Sequence, residues 1–154
     1  MKRILLVIAV AVMLASLPAV PAVSGPGDAD PEQEAVKKTI EAAYVRGIHI
    51  DRDVEAIRKG FHPSFTMFIY KNGTVTKWSI DEWIERIEEG KKKNPGPPKQ
   101  KTTHEFSMVD VTGNAAVARI EIFKDGAHVF TDYMSLYKFE DGWKIVGKIY
   151  HRHG

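Results

Sequence analysis

The last stretch of the chain, residues 130–153, contains two runs of alternating apolar and polar side chains separated by a Glu-Asp-Gly turn at residues 140–142. Successive side chains on a strand point to opposite faces of a sheet, so such alternation is typical of strands. The pattern therefore predicts a long β-hairpin over these residues. Each apolar row of the hairpin contains one titratable residue, Asp132 in the first strand and His151 in the second.

Asp132 is the first candidate for a functional role, because a carboxylate in an apolar row is costly unless it is paired or hydrogen-bonded. Counting across the turn places it opposite residue 150 or 151, so Asp132 and His151 are predicted to be cross-strand neighbours. The alternatives are a structural carboxylate and a solvent-exposed terminal histidine. A β-bulge at Gly147 would turn Lys148 inward in place of His151.

Helices are predicted before the strands. Asp30 and Pro31 have the N-cap and first-turn chemistry of a helix whose apolar stripe includes Tyr44. Residues 79–82 form a capping box that begins another helix, which carries Trp83. A short hairpin lies between these helices, and a four-strand meander follows them. This order predicts an α+β fold in which N-terminal helices pack on a strongly curved antiparallel sheet.

Residues 1–24 have the layout of a secretory signal peptide, with a basic start, an apolar run from Ile4 to Leu17, and then small residues and prolines. Cleavage would leave a flexible joint over residues 25–30 and a domain over residues 31–154. We therefore expect a secreted or periplasmic protein with no stable membrane insertion. The alternative is an uncleaved membrane anchor.

The composition excludes several classes of function. Loss of residues 1–24 would remove two of the 22 basic residues and none of the 20 acidic ones, so no global attraction to nucleic acid is expected. The absence of cysteine excludes disulfides, zinc–thiolate sites and cysteine nucleophiles. No glycine-rich phosphate loop and no histidine spacing of a metal site are present, so neither a cofactor nor a metal is predicted.

Several motifs resemble those of the putative lumazine-binding family, which has the cone-shaped fold of nuclear transport factor 2. They are Gly60-Phe61-His62-Pro63, residues 78–83, 110–118, 131–136 and 141–146, and also Lys148 and His151. The resemblance covers nearly all of residues 32–151. It implies a cone closed by the C-terminal hairpin, and commonly a homodimer formed through the sheet face. Related cone-fold families include ketosteroid isomerases, but no isomerase-type pair of Tyr and Asp can be placed here.

The predicted site lies inside this cone and would hold a small apolar or heteroaromatic ligand. Its predicted walls are Tyr44, Phe68 and Trp83, and its polar end is Asp132 with His151 or Lys148. His62 is predicted at the mouth of the cone. One alternative is an isomerase, cyclase or hydratase that uses Asp132 as general base, with His151 tuning it. Another is a non-catalytic dimeric interaction domain whose cone is filled by side chains.

Overall fold

The computed structural model describes residues 30–154. The predicted signal peptide and all but the last residue of the predicted joint lie outside the described residues. Helix α1 (Pro31–Ile40) continues directly into a π-helical segment (Glu41–Ile50) and is followed by α2 (Val54–Gly60). The remaining elements are β1 (Phe61–Lys71), β2 (Thr74–Ser79), α3 (Ile80–Lys93), β3 (Thr102–Thr112), β4 (Ala115–Lys124), β5 (Ala127–Phe139) and β6 (Gly142–Arg152).

The six strands form one curved, unclosed sheet in the order β2-β1-β6-β5-β4-β3. Neighbouring strands are antiparallel except β1 and β6, which pair in parallel. The helices pack on one face, and the core between them and the sheet contains Ile40, Ile57, Ile120, Leu136 and Ile145. The predicted α+β fold is confirmed. The antiparallel sheet predicted from the meander needs one correction, because β6 also runs beside β1.

Local capping signals start the helices at the predicted positions. The Asp30 carboxylate accepts a hydrogen bond from the backbone N–H of Glu32. The Ser79 hydroxyl accepts one from the N–H of Glu82, whose carboxylate accepts one from the N–H of Ser79 in return. These contacts satisfy N–H groups that a helix leaves without intrahelical partners. Among residues 30–154, no helix is long and apolar enough to cross a membrane.

The π-helical segment changes which side chains share a face of the first helix. In an α-helix, residues five positions apart point about 140° away from each other. A π-helix is closed by hydrogen bonds between residues five apart, so its wider turn brings such residues together. The rings of Tyr44 and His49 accordingly meet edge to face with their centroids 4.7 Å apart. His49 thereby reaches the concave side of the sheet.

The hairpin of β5 and β6 contains the irregularity that Gly147 suggested. Asp132 lies opposite Tyr150, within the predicted range, but the pairing shifts by one residue beside Gly147. Side chains beyond this β-bulge change faces. Lys148 therefore points into the core and is buried, whereas His151 is exposed.

Candidate functional site

Three polar side chains meet beneath the helices on the concave face of the sheet. We call Asp132, Lys148 and Tyr44 the polar triad. The Tyr44 hydroxyl donates to Asp132 Oδ2 at 2.5 Å, and Lys148 Nζ lies 2.8 Å from Asp132 Oδ1. Lys148 Nζ also donates to the Tyr44 hydroxyl oxygen at 3.1 Å. The carboxylate and the phenol are fully buried, and only 4% of the lysine side chain is exposed.

Aromatic rings enclose the ammonium of this triad. Lys148 Nζ lies 4.7 Å from the ring centroid of Tyr150, 4.8 Å from that of Tyr44 and 5.3 Å from that of Trp83. The Phe130 ring is 5.9 Å away. Distances below about 6 Å allow attraction between a cation and the face of a ring. The triad therefore occupies an apolar shell of four rings, of which Trp83, Phe130 and Tyr150 are only partly buried.

Burial and the ion pair set the protonation of the triad. Burial lowers the pKa of the Lys148 ammonium, and the Asp132 charge opposes that shift. Burial and the same carboxylate raise the pKa of Tyr44 well above its usual value, so the phenol remains a hydrogen-bond donor. Although Lys148 Nζ is close to Asp132 Oδ1, this buried oxygen accepts no hydrogen bond of good geometry within residues 30–154.

Of the predicted site residues, Tyr44, Trp83, Asp132 and Lys148 come together, and His151 does not. His151 lies opposite Thr131 rather than Asp132, and its ring packs edge to face on His153. The predicted pairing of Asp132 with His151 was therefore wrong. The physical reason is the β-bulge beside Gly147, which places Lys148 in that role.

Phe68 and His62 also lie away from the triad. Phe68 is 45% exposed on the opposite face of the sheet, because its neighbour Met67 occupies the inward position. His62 stacks on Phe139 with ring centroids 4.7 Å apart, near the turn between β5 and β6. This turn is at the other end of the sheet from the triad. Neither residue belongs to the site that was predicted for it.

Three residues near the triad were missed by sequence reasoning. His49 does not fit an α-helical stripe and becomes a neighbour of Tyr44 only through the π-helix. Simple alternation along β6 places Tyr150 on the outward row, but the β-bulge beside Gly147 turns it inward. Phe130 was on the predicted inward row of β5, so its alternation with Asp132 was a signal that could have identified it as a wall residue.

A surface cavity opens at the end of the sheet nearest the triad, where β3 and β5 begin and β4 and β6 end. Its volume is about 260 Å³. It is lined by His49, Ile50, Pro97, Pro98, Gln100, Lys101 and Thr102. We call it the His49 cavity. His49 lines this cavity, and its ring contacts Tyr44 of the polar triad.

In the part of the chain from residue 30 onward, no group of three or more His, Asp or Glu side chains is arranged to hold a metal ion. The triad itself offers a carboxylate, an amine and a phenol.

Comparison with known proteins agrees with the fold and the sequence motifs. The family model described as putative lumazine-binding matches residues 31–151. A crystal structure of an NTF2-like protein of unknown function from Shewanella baltica is 26% identical, with a TM-score of 0.63. The similarity covers 82% of this chain and 99% of that protein.

Two similar proteins have names that state an activity. A protein from Shewanella frigidimarina described as a putative ketosteroid isomerase is 15% identical, with a TM-score of 0.53, over 76% of this chain and 94% of its own. The aldolase FrzH of a Cladobotryum species is 23% identical over 95 residues, which cover 61% of this chain and 71% of the aldolase. At this identity the isomerase supports the fold alone.

Proposed function

Because this chain belongs to the putative lumazine-binding family, we propose that it binds a small, flat, largely apolar molecule on the concave face of its sheet. The observation that carries the proposal is the polar triad of Asp132, Lys148 and Tyr44 inside its shell of aromatic rings. Small-molecule sites typically combine apolar walls with a few fixed polar groups that orient the ligand. The triad supplies the polar groups, and the rings supply the walls.

The aromatic shell supports a flat ligand in particular. Trp83, Phe130 and Tyr150 are only partly buried. Offset stacking and edge-to-face contacts between rings contribute about 0.5–1.5 kcal/mol beyond the burial of their area. A heteroaromatic ligand can make these contacts with the partly buried rings.

Binding is favoured over catalysis with Asp132 as general base. The carboxylate already accepts a hydrogen bond from Tyr44 and forms an ion pair with Lys148. Before it could take a proton from a substrate, it would have to give up part of both interactions. The same contacts hold the carboxylate in one orientation, which is what a ligand anchor requires.

A panel of pterins, flavins and related heterocycles, screened by thermal shift and confirmed by native mass spectrometry, tests this function. We expect at least one compound to bind wild type and to bind Asp132→Asn about tenfold more weakly, since hydrogen bonds to a charged group contribute about 1.5–3 kcal/mol. Asp110→Asn, at an exposed carboxylate of β3, is the matched control. Binding that is equal in Asp132→Asn and wild type would contradict the proposal.

We also propose that the outer face of the sheet binds a second copy of this chain. Tyr133 pairs with Ile149 on one side and Arg119 on the other, and Met108 follows on β3. Tyr133, Ile149 and Met108 are 43%, 54% and 42% exposed. Exposed apolar side chains that continue across several strands are typical of interaction surfaces.

Sedimentation velocity at micromolar concentration should therefore give the mass of two chains. Tyr133→Lys should shift the protein toward a single chain, because it would place unpaired charges in the middle of the interface. Lys71→Glu, far from this row, is the control and should sediment as wild type. A single-chain mass for wild type would rule out the dimer.

A further inference from the structure

Three histidines lie side by side where β5 begins and β6 ends. We call His128, His151 and His153 the histidine cluster. The rings of His128 and His153 stack with their centroids 3.8 Å apart, and the His151 ring packs edge to face on His153 at 4.8 Å. His151 is exposed, and the other two are partly buried. Positive charges on imidazoles this close to one another would repel strongly.

Hydrogen bonds attach the cluster to a buried carboxylate. The Glu121 side chain is only 10% exposed, and it accepts hydrogen bonds from His128 Nε2 at 2.9 Å and from the Thr131 hydroxyl at 2.5 Å. His153 Nε2 lies 3.0 Å from the same hydroxyl oxygen. Because that hydroxyl gives its proton to Glu121, His153 Nε2 is the donor to it. The neutral cluster is therefore fixed to the sheet by directed contacts.

The histidine cluster borders the row of exposed apolar side chains that is the proposed dimer interface. Cross-strand partners share a face of the sheet. One row across β4, β5 and β6 contains Glu121, Thr131 and His151. The adjacent row, two residues along each strand and on the same face, contains Arg119, Tyr133 and Ile149. Arg119 connects the rows, since its Nε lies 2.9 Å from Glu121 Oε1 and its guanidinium carbon 5.9 Å from the Tyr133 ring centroid.

The charge of this part of the outer face depends on pH. While the imidazoles are neutral, Arg119 offsets Glu121, and Glu105 lies opposite Glu121 on β3 with a further negative charge. Histidine has an ordinary pKa of about 6.5. Partial desolvation, followed by the charges of the other two imidazoles of the cluster, lowers the pKa of His153, and Glu121 opposes this shift. Acid therefore adds positive charge beside the apolar row until it exceeds the charge of the two carboxylates.

We infer that the histidine cluster is part of the interface with the second copy of this chain and that its protonation makes the dimer dissociate in acid. The inference rests on the proposed dimer and adds its regulation. A two-fold interface contains the same surface from both chains, so acid would charge two clusters at one interface. Like charges brought together across an interface oppose association.

Sedimentation velocity at two pH values tests this inference. We expect a dissociation constant of the dimer that is at least about tenfold larger at about pH 5.5 than at about pH 7.5, on either side of the ordinary histidine pKa. At the lower pH, sodium chloride at about 0.5 M should recover part of the association, because salt screens repulsion between exposed charges. Near-ultraviolet circular dichroism at both pH values verifies that the chain stays folded.

Variants then assign the effect to the cluster. Glutamine retains an N–H donor but does not titrate, so the triple variant His128→Gln, His151→Gln, His153→Gln should remain a dimer at both pH values. His151→Gln alone, at the exposed member, should reduce the change and does not depend on the folding of the triple variant. His104→Gln, at an imidazole that contacts Glu41 of the π-helical segment, is the matched control and should behave as wild type. Acid dissociation of the triple variant to the same extent as wild type would overturn the assignment.

The dimer and its regulation fail in different ways. A wild-type dimer whose affinity is equal or higher in acid would leave the proposed interface standing and overturn the inference about the histidine cluster. A single chain at about pH 7.5, above the ordinary histidine pKa, would contradict both.

Discussion

Replacing Asp132 with asparagine should lower the free energy of unfolding by about 3–5 kcal/mol, which is the usual cost of removing one partner of a buried ion pair. The loss is expected to be large because Lys148, with 4% exposure, would have no opposite charge near it and would either stay charged without a partner or give up its proton. Tyr44 would also exchange a charged acceptor for a neutral one. The free energy of unfolding of a typical domain is only about 5–15 kcal/mol, so Asp132→Asn would remove a large part of the stability of the fold.

Urea denaturation followed by circular dichroism measures this loss. The control is Asp110→Asn, which removes the same charge from an exposed position and should change stability by less than about 0.5 kcal/mol. The double variant Asp132→Leu with Lys148→Met should recover most of the stability, because replacing both members of a buried pair with apolar residues is often neutral. Equal effects of Asp132→Asn and Asp110→Asn would show that the ion pair does not stabilise the fold.

Acidification should destabilise the protein through His49. In the folded chain its pKa is about 3, whereas the unfolded chain has the ordinary value near 6.5. As the pH falls below 6.5, the unfolded state binds a proton that the folded state excludes. Stability should therefore decrease from about pH 6.5 down to about pH 3, by at most about 1.4 kcal/mol for each pH unit.

Protonation of carboxylates also destabilises the fold in acid, for example at Glu121, whose pKa is lowered in the folded chain. The variant His49→Phe separates the contribution of the histidine from theirs. The difference in unfolding free energy between wild type and His49→Phe should change steadily between pH 6.5 and pH 4, in the direction that favours the variant at low pH. His62→Phe, at a residue near the other end of the sheet, is the matched control. A difference between wild type and His49→Phe that is constant with pH would exclude His49 as the source.

The elements of the fold were predictable because their signals are local. Asp30 and the Ser79–Glu82 capping box start their helices through side-chain contacts within three residues, so the sequence alone contains the interaction. The C-terminal hairpin was predictable from alternation and a turn. The order of these elements predicted the α+β class, and the resemblance to a family supplied the cone-shaped arrangement.

The site was only partly predictable, because its composition depends on two irregularities of the backbone. The β-bulge beside Gly147 decides whether Lys148 or His151 faces Asp132, and a glycine can be accommodated with or without a bulge. The glycine at position 147 at least suggests a bulge, but no equally strong local pattern in the sequence signals the π-helix that brings His49 to Tyr44. Phe68 was misplaced for a simpler reason, because the inward row of β1 depends on its pairing with β6.

A direct measurement of ligand binding at the triad is possible through Lys148 itself. Four aromatic rings surround its ammonium, so the Cε protons of this lysine should have a ring-current-shifted NMR signal distinct from those of the exposed lysines. The signal can be assigned by its loss in Lys148→Met in protein labelled with ¹³C-lysine. We predict that a heterocycle found to bind will shift the Lys148 signal in proportion to occupancy. Saturating ligand that moves only the signals of exposed lysines would place the binding site outside the curved sheet.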